Sequence, residues 1–466
     1  MSAAPHADKH FDLIIIGSGS GNSIPGPHNH HKSIAIVEPG RFGGTCLNVG
    51  CIPTKMYVYA AEVAHMVKTA GRYGVHAQFQ GVDWPSIRER VFDQRIDLIA
   101  SGGEEYRRGP KTPNIEVFDA PARFVAQRTI ATGQGDQAMV ISGEQIVLAA
   151  GARPHIPEVI ADSQVTYHTN ETIMRLDTLP KSMTVLGGGY VALEFAHVFE
   201  AFGTKVTLIN RSDRLMRTLD DDISARITEL TSEKITTHLG RVVTAASEDE
   251  HGVTVTLDDA TTVTSEVLLV ATGRIPNGDQ MDLALGGIEM QGQDVVVDKY
   301  GRTTAPGVWA LGDISSPYKL KHVANAEMRA IRHNLDVTDP ADLQELPHTF
   351  VPAGVFTIPP IGFVGLTERE ARAQGLDITV KIQNYGDVAY GWAMEDTTGF
   401  AKIIADRSTG KILGAHYIGP EAPSLVQQII TAMNFDIGAQ ELATNQYWIH
   451  PALPEVTENA LLGLEF

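Results

Sequence analysis

The sequence predicts an α/β chain: two units built on buried parallel strands, then an α+β module. Three observations predict it. Two apolar runs, residues 11–16 and 183–186, each pass straight into a glycine-rich turn, as a buried parallel strand does when it feeds a helix. Each is followed by a second apolar run, at residues 34–37 and 205–209. From about Pro347 the texture changes to a series of short strands followed by helical stretches, the pattern of an α+β module. The 466 residues leave room for about three domains of ~150 residues.

Hydrophobic residues make up 43% and charged residues 20%, an ordinary globular composition. The formal net charge of −19 argues against nucleic acid, whose phosphates need a basic face, and against an anionic membrane surface. No apolar run approaches the ~20 residues of a membrane span. The N-terminal stretch 1–10 is polar, and the apolar residues 13–16 after it are too few for a signal-peptide core. With no such signal and no cysteines beyond Cys46 and Cys51, a reducing cytoplasm is the expected compartment.

In the first unit, strand 11–16 runs into Gly17-Ser18-Gly19-Ser20-Gly21-Asn22. Glycines let the backbone turn sharply and approach a pyrophosphate, and the helix expected next offers its N-terminal N–H groups. Strand 34–37 ends at Glu38, at the ~20-residue distance of an acid that holds a ribose hydroxyl. Asn22 stands where a third Gly or Ala is usual, and Pro25-Gly26-Pro27 interrupts the expected helix. His28, His30 and His31 read as a solvated loop rather than a metal site.

Cys46 and Cys51 follow in a Gly-rich, Pro-containing turn. On one distorted helical turn their sulfurs come within disulfide reach. So small a ring constrains the unfolded chain little. The pair therefore reads as one that opens and closes, ahead of two small buried hydrophobes and well ahead of zinc, which needs about four ligands. Residues 57–69 have helical spacing of Val58, Ala61, Val63, Ala64 and Val67, with Lys55 at the start, and 84–108 form another helical stretch.

The second unit is more regular. Strand 183–186 leads to Gly187-Gly188-Gly189-Tyr190-Val191-Ala192, a helix runs on to Phe202, and strand 205–209 follows. That strand ends at Asn210, with Arg211 and Arg217 after it and Arg214 between them reading as part of a solvated turn. An acid there would repel a nucleotide 2′-phosphate, whereas guanidinium groups pair with it. This predicts NADPH rather than NADH. Glu194 interrupts the apolar face of the helix and needs a partner if buried. Later, strand 267–270 leads to Gly273, and a strand from Gly307 ends at Gly312-Asp313. Strands are expected at 355–357, 361–364, 378–381, 401–404 and 412–416, then two helical stretches. In the tail, an imidazole at His450 suits proton exchange with thiols, and the carboxylate of Glu455 can orient it.

Residues Gly43-Gly44-Thr45-Cys46-Leu47-Asn48-Val49-Gly50-Cys51-Ile52-Pro53-Thr54-Lys55 match Gly-Gly-Thr-Cys-x-Asn-x-Gly-Cys-x-Pro-x-Lys at every fixed position. This is the shared motif of the disulfide-reductase flavoproteins, and the chain resembles them nearly end to end. The resemblance implies two Rossmann-like dinucleotide-binding domains plus an α+β C-terminal dimerisation domain. Residues 1–152 and 279–346 would bind FAD, 153–278 NADPH, and 347–466 would form the dimer interface. FAD would be held by Gly17, Gly19, Ser20, Gly21, Glu38, Gly44, Thr45, Cys46, Lys55, Ala122, Gly151, Asp313, Lys321 and His322. NADPH would be held by Gly187, Gly189, Tyr190, Val191, Glu194, Asn210, Arg211, Arg217 and Gly273.

Further roles follow from the resemblance. Glu194 would pair with Lys55, Tyr190 would gate the nicotinamide, and Asp313 would hold the flavin ribityl chain. Cys51 would lie nearer the flavin and hold a charge-transfer thiolate, while Cys46 attacks a substrate disulfide. His450 and Glu455 reproduce the family's His-Pro-x-x-x-Glu, in which the pair reaches the neighbouring subunit's disulfide, so a homodimer is expected. The lack of a second C-terminal cysteine pair and the arginines after Asn210 set several branches aside. Residues 19–23, 380–396 and 447–464 are similar to mycothione reductases of actinobacteria, which implies mycothiol disulfide as substrate. A glutathione- or lipoamide-type reductase, or a redox-responsive binding flavoprotein, are the alternatives.

Overall fold

The computed structural model describes residues 6–466 apart from 134, 136 and 137, so the first five residues of the polar N-terminal stretch lie outside the described residues. The first unit is a seven-stranded sheet. Its parallel part runs Ile115–Phe118, Ile34–Val37, Lys9–Ile16, Met139–Leu148, with Val308–Ala310 added beside the last. Thr129–Thr132 and Arg123–Ala126 pair antiparallel at the other end of Met139–Leu148. Ile14, Ile15, Ile34, Ile36 and Val147 are wholly buried, which explains the nearly unbroken apolar runs.

The second unit is a parallel sheet in the order Thr236–Leu239, Lys205–Asn210, Ser182–Leu186, Val267–Val270. A three-stranded antiparallel sheet, Val243–Asp249, Gly252–Leu257 and Thr262–Ser265, lies beside it in sequence. The chain enters and leaves this unit through one antiparallel pair, Ala152–Pro154 against Arg274–Pro276. Arg153 grips Asp279 with both guanidinium nitrogens at 2.8 and 2.6 Å across that crossing. The C-terminal module is a five-stranded antiparallel sheet, ordered Ala353–Val355, Ile361–Gly365, Ile412–Ile418, Phe400–Asp406, Ile378–Asn384. Helices Ala422–Asn434 and Ala439–Thr444 follow, the two expected before the tail, and Glu455–Leu462 lies in the tail itself.

Helix Tyr190–Phe202 is the hub. Leu193, Phe195, Ala196 and Phe199 are buried on it, against Tyr57, Val58, Ala61 and Trp84 of the first unit. Each large apolar side chain so buried is worth roughly 1.5–3 kcal/mol. The helix stops at Gly203, whose φ of 105° takes the left-handed conformation of a C-terminal cap. The same core reaches Val355, Phe400 and Ile418 of the C-terminal module, so the helix bearing Cys51 is wedged where all three meet.

Several sequence expectations are corrected. No α-helix follows the first glycine turn. Only two short 3₁₀ turns form, Gly21–Ser23 and Pro27–Asn29, because the ring at Pro25 and Pro27 removes donors and disfavours a helical preceding residue. The helical stretch 84–108 is two helices, Trp84–Val91 and Asp97–Arg108, joined through a π turn at Phe92–Ile96. The strand expected at 355–357 is Ala353–Val355, because the Phe356 N–H is taken by the Glu194 carboxylate at 3.0 Å. Val63, expected on the apolar helix face, is exposed.

Candidate active site

The two cysteines sit on two helices rather than on one distorted turn. Cys46 lies in Gly44–Asn48, and Cys51 opens Cys51–Thr69. Between them the chain doubles back at Gly50, where a Cβ would meet the Thr45 carbonyl oxygen at 2.9 Å. Asn48 donates its side-chain amide to the carbonyls of Arg41, Phe42 and Gly44 at 3.2, 3.0 and 3.1 Å. From the second unit, Asn170 donates to the Val49 carbonyl at 2.8 Å. The loop is thus tied from both sides while both thiols face a cleft of about 1620 Å³.

Both cysteines are unpaired thiols, and a hydrogen bond joins them. The hydrogen bond from Cys51 pulls the Cys46 thiol below its usual range, with Lys321 and the Ile52 N–H adding to the effect. The same bond, together with burial, pushes Cys51 far up. The two sulfurs thus share one hydrogen bond and both line the cleft where the thiolate expected on Cys51 would lie.

The cleft is lined by Gly17, Gly19, Ser20, Glu38, Gly44, Thr45, Lys55, Ala122, Gly151, Asp313, Lys321 and His322. Gly21 is absent from that lining; a Cβ there would strike Ala149 and Ile15 at 2.8 and 2.9 Å, so it serves helix-free packing of the turn on the sheet. Gly44 and Gly19 touch backbone to backbone, with room for no side chain: a Cβ on Gly44 would lie 2.7 Å from the Gly19 Cα. Glu38 accepts from Ser18 N and Oγ at 2.9 and 2.8 Å and from Gly40 N at 2.9 Å. Lys321 donates to Ser20 Oγ at 2.9 Å, and Ser20 donates to Asn325 at 3.0 Å. The His322 ring sits 2.8 Å from the Pro352 carbonyl.

A flavin dinucleotide fits this lining. Among the described residues no donor reaches the Asp313 carboxylate by hydrogen bond, and Arg274 stands 3.7 Å away. Burial holds that carboxyl above its usual range, so ligand hydroxyls would relieve it. The turn bearing Asp313 is itself pinned. Glu327, 1% exposed, accepts from Gly312 N at 2.7 Å and meets His348 Nε2 at 2.6 Å. Sequence reasoning missed Glu327, though a carboxylate at a core position of helix Lys321–Asn334, between Val323, Ala324, Met328 and Ile331, was a readable signal.

Tyr190, Val191 and Glu194 bring the second unit into the same cleft. The expected Lys55–Glu194 pair is not formed. Lys55 Nζ lies 3.7 Å from Glu62 and 3.8 Å from the Phe356 ring centroid, whereas Glu194 is claimed by Phe356 N. Glu62 lies on Lys55's own helix, two turns along, and needs no interdomain reach. Burial pushes the Glu194 carboxyl up to about 7, and Lys55 only partly opposes this.

Gly187, Gly189, Asn210, Arg211, Arg217 and Gly273 are not in the cleft lining. At the start of helix Tyr190–Phe202, Gly187 takes φ 126° and Met216 N donates to the Gly188 carbonyl at 2.8 Å. The Asn210 amide spans the loop to the carbonyls of Ser212 and Arg214 at 3.0 and 3.1 Å. Arg211 and Arg217 are exposed, and among the described residues neither has an ion-pair partner. His450 also stands outside the cleft. Its Nδ1 is 2.7 Å from Glu455 Oε1, and its side chain is 70% exposed. Glu455 Oε2 accepts from Ala452 N at 3.2 Å.

Family models agree with this geometry. The pyridine nucleotide-disulphide oxidoreductase model matches residues 11–330, and its dimerisation-domain model matches 351–461. Over 97% of this chain and 99% of the relative, the sequence is 51% identical to a mycothione reductase of Mycobacterium tuberculosis. It is 33% identical to a mercuric reductase of Streptomyces lividans, over 95% of this chain and 93% of that one. An HOCl-induced flavoprotein disulfide reductase from Escherichia coli superposes with a TM-score of 0.85 at 26% identity, covering 97% of this chain and 99% of that one. No helix among the described residues is long and apolar enough to cross a membrane. The chain belongs to the pyridine nucleotide-disulphide oxidoreductase family, and is an FAD-dependent enzyme that couples a pyridine nucleotide to a disulfide.

Proposed function

We propose that the enzyme uses NADPH to reduce a low-molecular-weight disulfide, mycothiol disulfide, to its thiol in the cytoplasm. The observation that carries the reading is the 51% identity over 97% of the chain to a mycothione reductase. The exposed Arg211 and Arg217 beside Asn210, with no acid at that strand end, support NADPH. Residues 1–152 and 279–346 are assigned to FAD, 153–278 to NADPH and 347–466 to dimerisation.

Bound FAD supplies a two-electron relay between a reduced nicotinamide and a disulfide. The chain's own residues do the thiol chemistry. Cys46, its thiol held below its usual range by the hydrogen bond from Cys51, attacks one sulfur of the substrate disulfide. A Cys46–substrate disulfide forms and the other substrate sulfur leaves as thiolate. His450, oriented by Glu455, gives that thiolate a proton. Because the exposed imidazole does not line its own chain's cleft, it is assigned to the partner subunit's cysteines in a homodimer. Cys51 then gives its proton to the now neutral His450 imidazole and attacks Cys46 Sγ, and the second substrate thiolate leaves and takes up that proton. The Cys46–Cys51 disulfide that remains is reduced for the next cycle.

The deciding experiment compares kcat/KM for NADPH oxidation with mycothiol disulfide, glutathione disulfide and lipoamide. A strong preference for mycothiol disulfide is expected. Preference for another of the three would keep the chemistry and discard the substrate. Cys46→Ser is expected to abolish turnover with all three; wild-type rates in that variant would end the thiol assignment.

A further inference from the structure

The first dinucleotide unit lacks the helix whose N-terminus normally faces a bound pyrophosphate. Its glycine turn is followed by the 3₁₀ turns Gly21–Ser23 and Pro27–Asn29, which are too short to sum a macrodipole. The same turn is held by a buried cation. Arg107, on helix Asp97–Arg108, is 9% exposed. Its Nε donates to Asn22 Oδ1 at 2.8 Å, and its Nη2 donates to the Asn22 carbonyl at 2.6 Å and the Pro25 carbonyl at 3.4 Å. Every acceptor is neutral.

A buried guanidinium normally meets a carboxylate. Among the described residues Arg107 has no ion-pair partner, and no carboxylate acts on its charge. The Tyr106 ring centroid lies 5.4 Å from its guanidinium carbon. The three contacts to neutral acceptors use Nε and Nη2 and leave its charge without a carboxylate partner. Asn22 is contiguous with Gly21, so the uncompensated charge sits directly behind the glycine turn.

We infer that Arg107 is a positioning residue for the diphosphate of the first nucleotide: acting through Asn22, it supplies the positive field that the missing helix would have given. The bound diphosphate is the counter-ion that the buried guanidinium lacks, and low local dielectric lets the two interact through the turn. Asn22 then has a reason to be an amide at a position usually held by Gly or Ala. It accepts from Arg107 without neutralising it, and a carboxylate of the same shape would cancel the field.

This inference rests on the reading that the first unit binds FAD. The test uses the holoenzyme. FAD dissociation is followed by the rise of free-flavin fluorescence on dilution at several salt concentrations, alongside thermal melting by circular dichroism. Asn22→Asp leaves every hydrogen bond to Arg107 in place and adds a salt bridge. It is expected to weaken FAD binding at least tenfold, and to flatten its salt dependence, while the melting temperature holds or rises. Arg107→Gln is expected to weaken FAD comparably, and Arg107→Lys, which keeps the charge, to stay within about threefold of wild type. A purely structural cap predicts the reverse: tight FAD in Asn22→Asp, and Lys as poor as Gln. Either result would overturn the inference. If Arg107→Gln does not fold, Asn22→Asp alone decides. Wild-type protein that purifies without flavin would instead sink the underlying FAD assignment.

Discussion

The two dinucleotide units solve one backbone problem identically and one electrostatic problem differently. In both, a buried strand ends in a glycine at positive φ pressed against a neighbouring carbonyl. A Cβ on Gly17 would lie 2.3 Å from the Ala149 oxygen, and one on Gly187 would lie 2.3 Å from the Ala271 oxygen. Past that point they part. The second unit continues into a full helix, Tyr190–Phe202, whose peptide dipoles point positive at the turn. The first has no such helix and gathers side-chain cations instead, Lys321 in front at Ser20 and Arg107 behind at Asn22. The strand ends differ too. Glu38 is bound to Ser18 and Gly40, while Asn210 folds its own loop and leaves two arginines in solvent. Backbone shape at the turn is thus fixed by sterics, whereas the source of positive potential is interchangeable.

Breaking the shared feature should have the largest effect. Gly17→Val adds strain and overlap of about 3 kcal/mol or more, and the protein should purify with little flavin. Gly187→Val carries the same insult, yet should keep its flavin and lose reduction of it by NADPH. Flavin absorbance per chain and stopped-flow reduction check the pair; loss of flavin in both would show that the units do not act separately.

A tie present on one unit alone comes next. Lys402 of the C-terminal module, 2% exposed, meets Asp220, Asp222 and Glu368 at 2.9, 2.6 and 2.7 Å. Two of those carboxylates belong to the second unit. Lys402→Met should cost about 3–5 kcal/mol in urea titrations at neutral pH. Lys402 holds the Asp220 and Glu368 carboxyls below their usual 3.8 and 4.5. Stability from depressed carboxyls is present above those values and lost as pH falls below them. The deficit of the variant should therefore shrink in acid, and a pH-independent deficit would point to packing alone.

The double variant Arg211→Ala, Arg217→Ala tests the contrast at the strand ends. Loss of two charge-assisted contacts, each about 1.5–3 kcal/mol, should raise the KM for NADPH by ~10² or more and leave NADH little changed. Equal effects on both nucleotides would count against a phosphate-reading role.

The smallest effect concerns Glu194, where the second unit enters the cleft. Its folded carboxyl sits at about 7 rather than 4.5. A raised carboxyl favours folding below the unfolded value, and that advantage is lost as pH climbs toward the folded one. Glu194→Gln should therefore stabilise the protein at pH 8, by up to about 3 kcal/mol, and by progressively less as pH falls from 7 to 4.5. Chemical denaturation at several pH values reads this directly; a constant difference would mean that Glu194 does not titrate in that window.

The sequence by itself determined the strand-and-glycine frame of both units, the antiparallel texture of the C-terminal module, the cysteine loop and the His450–Glu455 pair. These are short-range features. A glycine at positive φ, an apolar strand, or a His and Glu 2.7 Å apart and five residues apart in sequence are written into neighbouring residues. Even the failure of the first helix was legible in Pro25-Gly26-Pro27. Only the tertiary structure decided what replaced it, because Arg107 and Asn22 are 85 residues apart. It likewise decided that Lys402 meets an aspartate 182 residues away. Charge pairing acts through space and depends on which buried groups the packing leaves without partners. No local pattern carries that information.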